Sequence, residues 1–118
     1  MLRQQWLRLL ILNAMADDLE DLQQIFLSVN LDAKRWETTA SIDEILPELK
    51  ALVDTDLVRA YVFTRTESYV RLDPASIDDL KSCWCEMTAE GRRLQDSDWW
   101  PFDETTKELL PGRSLSLT

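Results

Sequence analysis

The chain has 118 residues, of which 45% are hydrophobic and 30% charged, and these are the proportions of one globular domain with a single modest core. Its 13 basic residues against 22 acidic ones give a net charge of -9, a sign that favours basic partners and disfavours nucleic acid. With no histidine and only two glycines, the chain lacks His-dependent catalytic triads and any glycine-rich phosphate loop, so we expect neither an enzyme nor a bound cofactor.

Residues 2–15 predict a first helix with apolar side chains on most of its faces. Such a helix is covered either by the rest of its own chain or by a second subunit, so a homodimer through this helix is one expectation. The continuously apolar part runs only from Leu9 to Leu12, which is too short for a signal core or a membrane span. We therefore expect no membrane association and, from two cysteines without other signs of export, a cytoplasmic location.

A second helix is expected to begin near Asp17 or Asp18, because either carboxylate can cap its first turn. Asn30 is the expected end of this helix, and the polar segment 32–40 then predicts a connection. The helix has one apolar stripe, formed by Leu19, Leu22, Ile25, Phe26 and Val29.

The third helix opens with a capping box, in which Ser41 caps a backbone amide and Glu44 reaches back to the start of the helix. Pro47 lies inside this helix and cannot donate a backbone hydrogen bond, so we expect a kink or a break into two short helices. The predicted buried stripe consists of Ile42, Ile45, Leu46, Leu49, Leu52 and Val53.

Residues 57–63 and 68–72 predict two β-strands, because β-forming side chains occur there without helical spacing. Asp73, followed by a proline, predicts the cap of a short helix that extends through Leu80. That helix interrupts the hairpin before the strand returns.

The returning strand is predicted over residues 83–87, and Thr88 is the expected cap of a last helix. Cys83 and Cys85 point to the same face of such a strand. Zinc needs three or four ligands, and neither a histidine nor a second cysteine pair exists to complete that set. We therefore expect two free cysteines that face the core and no metal site.

Over residues 41–95 the order of these motifs resembles the PadR-like winged-helix regulators. In that family a recognition helix with an internal proline precedes a paired-leucine segment, and the wing is followed by Thr, two variable residues, Gly and Arg. The matching segments are Leu46-Pro47-Glu48-Leu49, Leu52-Val53, Leu57-Val58 and Met87-Thr88-Ala89-Glu90-Gly91-Arg92. The resemblance implies an α+β fold with a small antiparallel β wing, and we expect a mainly helical winged-helix-like domain over residues 1–98. It also implies a dimeric repressor whose recognition helix enters the DNA major groove.

The chain departs from that family in three ways. Asp56 stands where the family usually has a glycine before the wing strand, the wing contains an inserted helix, and the recognition helix is acidic. Residues 41–56 hold one base, Lys50, against Asp43, Glu44, Glu48, Asp54 and Asp56. Such a surface cannot neutralise several phosphates.

Our leading prediction is therefore a protein that acts by protein contact and meets a basic partner. The predicted contact residues on the third helix are Asp43, Glu44, Glu48 and Asp54. Residues 99–118 are expected to form an aromatic tail that packs on the domain or on a partner, with Trp99, Trp100 and Phe102 as its anchors.

The alternative prediction is a dimeric DNA-binding transcription regulator of PadR-like type. In that case, pairing of two wings would gather Arg59, Arg65 and Arg71, together with Arg92 and Arg93, into one basic stripe. The competing explanation of the wing arginines is ordinary charge at a sheet edge, which discourages aggregation.

Overall fold

In this computed structural model, which describes residues 2–16, 19–66 and 68–96, helices surround one face of a small antiparallel sheet. The elements in chain order are α1 (Leu2–Ala14), β1 (Glu20–Asp21), α2 (Leu22–Ala33), a 3₁₀ turn (Lys34–Trp36), α3 (Ile42–Asp54), β2 (Val58–Phe63), β3 (Tyr69–Leu72), α4 (Ile77–Leu80), β4 (Trp84–Met87) and α5 (Ala89–Asp96). The predicted class is confirmed: the described part is an α+β domain, mainly helical, with a small antiparallel sheet.

The strands follow the order β1-β4-β2-β3, and every pair in the sheet is antiparallel. Tyr61 in β2 lies between Arg71 of β3 and Trp84 of β4. Because side chains alternate along a strand, one face of the sheet is buried under the helices and carries Val58, Ala60 and Cys85. The opposite face carries Arg59, Tyr61, Phe63, Tyr69, Arg71, Trp84 and Glu86.

Helix α1 is buried within the single chain. It contacts α2, α3 and α5. Its buried side chains are Trp6, Leu7, Leu9, Leu10, Ile11 and Leu12, and they are followed by buried Met15. The apolar faces that suggested a homodimer therefore do not need a second subunit to cover them.

The predicted start and end of α2 were wrong. The helix begins at Leu22, and the carboxylate of Asp21 caps it by accepting a hydrogen bond of 2.9 Å from the amide of Gln24. It cannot begin earlier because Glu20 and Asp21 pair with β4 as β1, whereas residues 17 and 18 lie outside the described part. Asn30 does not end the helix.

Asn30 instead fastens the connection that follows α2. Its side-chain amide donates hydrogen bonds of 3.0 Å to the carbonyl of Phe26 and 2.9 Å to that of Ala40, and its oxygen accepts one of 2.8 Å from the amide of Ala40. These bonds hold the chain at the entrance to α3.

Helix α3 begins as predicted. The Ser41 hydroxyl accepts from the amide of Glu44, the Glu44 carboxylate accepts from the amide of Ser41, and both bonds are 3.2 Å long. Of the two outcomes expected at Pro47, a kink or a break, the break is wrong, because the helix runs through Pro47 without interruption. The carbonyl that loses its donor belongs to exposed Asp43, so water can replace the missing hydrogen bond.

The strands β2, β3 and β4 confirm the predictions for residues 57–63, 68–72 and 83–87. The inserted helix α4 is also present, but Ser76 and not Asp73 caps it. Ser76 forms a second capping box with Asp79, in bonds of 3.1 and 2.9 Å. Asp73 lies instead 3.6 Å from Arg71, on the wing.

Candidate protein-contact surfaces

Thr88 and Gly91, from the motif after the wing, join α5 to the start of β2. The Thr88 hydroxyl accepts from the amide of Gly91 at 3.1 Å and donates to the carbonyl of Asp56 at 2.8 Å. A Cβ at position 91 would collide with the carbonyl oxygen of Leu57 and lie 2.6 Å from Cγ of Met87. In this chain Thr88 and Gly91 therefore hold the start of α5 against the segment that leads into β2.

Asp56 occupies the turn between α3 and β2 in a left-handed conformation, with φ of 60°. This is the conformation that glycine adopts readily and that aspartate tolerates better than most residues. Its carboxylate lies 3.3 Å from Nη2 of Arg71 and 3.7 Å from Nε of Arg59. Aspartate at this position thus allows the left-handed turn and adds a counter-charge for the wing arginines.

The carboxylates predicted as an acidic face on α3 are largely engaged within the chain. Arg3 on α1 donates to Glu44 at 3.0 Å, and this bond, together with the Ser41 amide, holds the pKa of Glu44 below its usual value. Arg8 donates to Glu48 at 2.8 Å, and Glu48 is only 6% exposed. The two arginines of α1 therefore cover half of the predicted face.

The remaining acids of α3 belong to an exposed stripe at helical spacing. Asp43, Pro47, Lys50 and Asp54 follow one another along the helix, and the ammonium group of Lys50 lies 2.8 Å from the carboxylate of Asp54. Within the described part of the chain, Asp43 has no ion-pair partner. The predicted contact face on α3 is thus reduced to Asp43, Asp54 and the half-exposed Glu44.

The arginines predicted for DNA are interleaved with carboxylates. Arg71 lies 3.3 Å from Asp56 and 3.6 Å from Asp73, and Arg59 shares the same carboxylate of Asp56. Arg65 is exposed in the turn between β2 and β3. On α5, Arg93 pairs with Glu90 at 3.0 Å. The wing arginines Arg59 and Arg71 share a sheet face, but Asp56 and Asp73 neutralise it.

A second candidate surface lies on the open side of the sheet, and we call its four rings the aromatic sheet face: Tyr61, Phe63, Tyr69 and Trp84. The ring centroids of Phe63 and Tyr69 are 5.1 Å apart, and those of Tyr69 and Trp84 are 6.3 Å apart. Phe63 is 53% exposed and Tyr69 is 44% exposed. Large rings in contact with one another and open to solvent are typical of an interaction site.

Tyr61, on the aromatic sheet face, is held in position by a hydrogen bond. Its hydroxyl donates to the carboxylate of Glu86 at 2.7 Å. Burial raises the pKa of Tyr61, and the neighbouring carboxylate of Glu86 raises it further. Because this hydroxyl stays protonated, the hydrogen bond holds both side chains in place.

Sequence reasoning missed this surface, although part of its signal was present. Alternation in β2 places Arg59, Tyr61 and Phe63 on one face of the strand. Trp84 lies more than twenty residues later and joins them only through the pairing of β2 with β4. The pattern in β2 also does not say which face the helices cover.

Cys83 and Cys85 are free and buried, as predicted. Burial raises the pKa of both thiols, in the case of Cys85 to about 12. Within residues 2–16, 19–66 and 68–96, no group of three or more His, Cys, Asp or Glu side chains is placed to hold a metal ion. None of the helices in these ranges is long and apolar enough to span a membrane.

The predicted anchors Trp99, Trp100 and Phe102 lie outside the described residues. Comparison of the chain with family models, curated proteins and solved structures finds no match. The function of the chain must therefore be inferred from its own surfaces.

Proposed function

We propose that this chain is a winged-helix-like domain that acts by binding a basic protein partner, without catalysis and without DNA recognition. The order of elements supports the winged-helix part of the proposal. Helix α3 leads directly into β2, the wing returns through β4, and β4 leads into the closing helix α5. The strand β3 and the helix α4 are then an insertion within the wing.

The observation that carries the choice of partner is the compensation of the wing arginines by carboxylates, since Asp56 lies beside both Arg59 and Arg71 and Asp73 lies beside Arg71. A surface that binds a phosphate backbone needs uncompensated bases. Arg71 is held by two carboxylates, Asp56 and Asp73, and the exposed stripe of α3 offers only Lys50 beside Asp54. The net charge of -9 instead attracts a basic surface and speeds its association.

We also propose that the chain catalyses no reaction. The thiols of Cys83 and Cys85 are buried and their pKa values are raised, so neither supplies an accessible thiolate. A protein with two free cysteines of this kind suits a reducing cytoplasm, which we propose as its location.

The proposal is tested first by titrating the purified full chain with duplex DNA between about 50 and 200 mM salt. We expect no binding at any salt concentration. An affinity that falls steeply with salt would overturn the proposal in favour of the alternative, a dimeric DNA-binding regulator of PadR-like type. That alternative also requires a dimer, which sedimentation of the same sample detects.

The second test is affinity capture from a lysate of the source organism. We expect a basic protein to be retained by the wild-type chain and by a control in which Asp78→Lys removes an exposed acid of α4. If instead the retained protein is acidic, or if capture requires added DNA, the partner assignment is wrong.

A further inference from the structure

We propose that the aromatic sheet face binds arginine or lysine side chains of the basic partner, through the faces of its exposed rings. This inference depends on the proposed function, since it locates the site of the same partner. It moves the main contact away from α3, where sequence reasoning placed it, to the open side of the sheet.

Neighbouring rings of the aromatic sheet face are inclined to one another. The planes of Tyr69 and Trp84 are inclined at 79° with their centroids 6.3 Å apart, and those of Phe63 and Tyr69 at 57° with centroids 5.1 Å apart. A cation placed in the angle between two such inclined rings would approach the π-faces of both. A cation within about 6 Å of a ring centroid is attracted by the ring quadrupole, so such a pair of rings can hold it from two sides.

The chain already contains a contact of this type. The guanidinium carbon of Arg3 lies 5.4 Å from the centroid of the Trp6 ring on α1. On the sheet, however, Arg71 is turned toward Asp56 and Asp73, and Arg59 lies between Asp56 and the hydroxyl of Tyr61. The outer rings Phe63 and Tyr69 thus remain exposed to an external cation.

The charged groups around the rings favour a positively charged ligand. The carboxylates on or beside this side of the sheet are Asp21, Asp56, Asp73 and Glu86. They outnumber the guanidinium groups there even when exposed Arg65 is counted with Arg59 and Arg71. Exposed rings with surrounding arginines can also stack nucleic-acid bases, but the negative balance here repels a phosphate backbone. The same balance attracts a basic peptide.

A second copy of this chain is a poorer occupant. Each copy carries a net charge of -9, so association of like surfaces is opposed by repulsion. A partner with the opposite charge gains from both the long-range field and the local rings. The observations therefore favour a basic segment of another protein.

The experiment titrates the full chain, labelled for NMR, with the peptide Gly-Arg-Gly-Arg-Gly-Arg-Gly. The matched probes are the same peptide with Glu in place of Arg and a single-stranded oligonucleotide. We expect the Arg peptide alone to shift the Trp84 indole signal and the amides of β2 and β3. Selective binding of the oligonucleotide, or equal binding of the Glu peptide, would overturn the inference.

Variants test the role of the rings. Tyr69→Leu and Phe63→Leu keep apolar bulk on a solvent-facing position but remove the π-face, and each is expected to weaken peptide binding about two- to five-fold. Leu31→Ala, at a 73% exposed position on α2, is the control and is expected to change nothing. Binding that is unaffected by both ring variants would exclude the aromatic sheet face as the site.

Failure of this inference is distinguishable from failure of the proposed function. If the Arg peptide binds, but only Asp43→Asn with Asp54→Asn weakens it, the basic partner stands and the site lies on α3. If the sheet-face signals respond to Trp100→Ala, or the protein sediments as a dimer through the sheet, the chain itself is the occupant and the inference is wrong.

Discussion

The charged groups of the acidic helix α3 and those around the aromatic sheet face have different partners. On α3, the carboxylates of Glu44 and Glu48 are engaged by another helix, so much of the charge seen in the sequence never reaches a partner. On the sheet, the charged groups pair with one another and leave Phe63 and Tyr69 exposed. Net charge indicates the sign of a partner, but exposed unpaired groups indicate where that partner binds.

The largest expected effect concerns the ion pair between Arg8 and Glu48. Glu48→Leu removes a carboxylate that is 6% exposed and leaves Arg8, whose side chain is 26% exposed, without its partner. Because Arg8 keeps some access to water, we expect the free energy of unfolding to fall by about 2 kcal/mol, measured by urea denaturation. This result would confirm that Glu48 belongs to the structure and not to a contact face.

The matched control for that experiment is Glu44→Gln, one turn earlier on α3. The pair of Glu44 with Arg3 is half-exposed, so we expect a loss of less than about 1 kcal/mol. Equal losses for the two variants would mean that burial does not distinguish these acids, and the comparison between the two surfaces would weaken.

A second, smaller effect is expected at Asp56, where the two surfaces meet. Asp56→Gly relieves the cost of a left-handed non-glycine residue and removes the counter-charge of Arg59 and Arg71, so the free energy of unfolding should change by no more than about 1 kcal/mol. Because the exposed stripe of α3 still offers only Lys50 as a base, we expect no DNA binding at low salt.

Asp56→Asn is the control, because asparagine tolerates the left-handed conformation but carries no charge. If both variants bind DNA with a strong salt dependence, the charge of Asp56 alone suppresses DNA binding. That result would favour the alternative function, a DNA-binding regulator. If only the glycine variant binds, the cause is the backbone and not the charge.

The smallest expected effect is a pH dependence that originates at Glu44. The pKa of Glu44 is lowered in the folded chain by the hydrogen bonds from Arg3 and the Ser41 amide. Its contribution to stability is therefore present above the pKa of the unfolded chain, near 4.5, and is lost as pH falls through the lower folded value. Since the pair is solvent-screened, this contribution should stay below about 0.5 kcal/mol.

NMR titration of the Glu44 carboxyl group measures the shift directly. In the Arg3→Met variant we expect the pKa to move back toward 4.5. If the pKa of Glu44 is the same in the two proteins, Arg3 does not engage this carboxylate in solution, and Glu44 returns to the free surface of α3.

Local rules predicted much of the fold. The capping box at Ser41, the cap at Thr88, the strands of the wing and the two core-facing cysteines were all predicted and are confirmed. Each of these depends on residues a few positions apart and on their local backbone preferences. Where several residues could serve as the cap, as at the start of α2 and α4, the same rules selected the wrong one.

The sequence by itself therefore determined the sign of the charge, the class of the fold and most of its elements. Only the tertiary structure decided which charges are free, because Arg3 and Arg8 meet Glu44 and Glu48 across 41 and 40 positions of the chain. It also decided which face of the sheet stays open and brought Trp84 to Tyr69. Helix packing and strand pairing join residues that are distant in the chain, and no pattern within a single segment encodes that pairing.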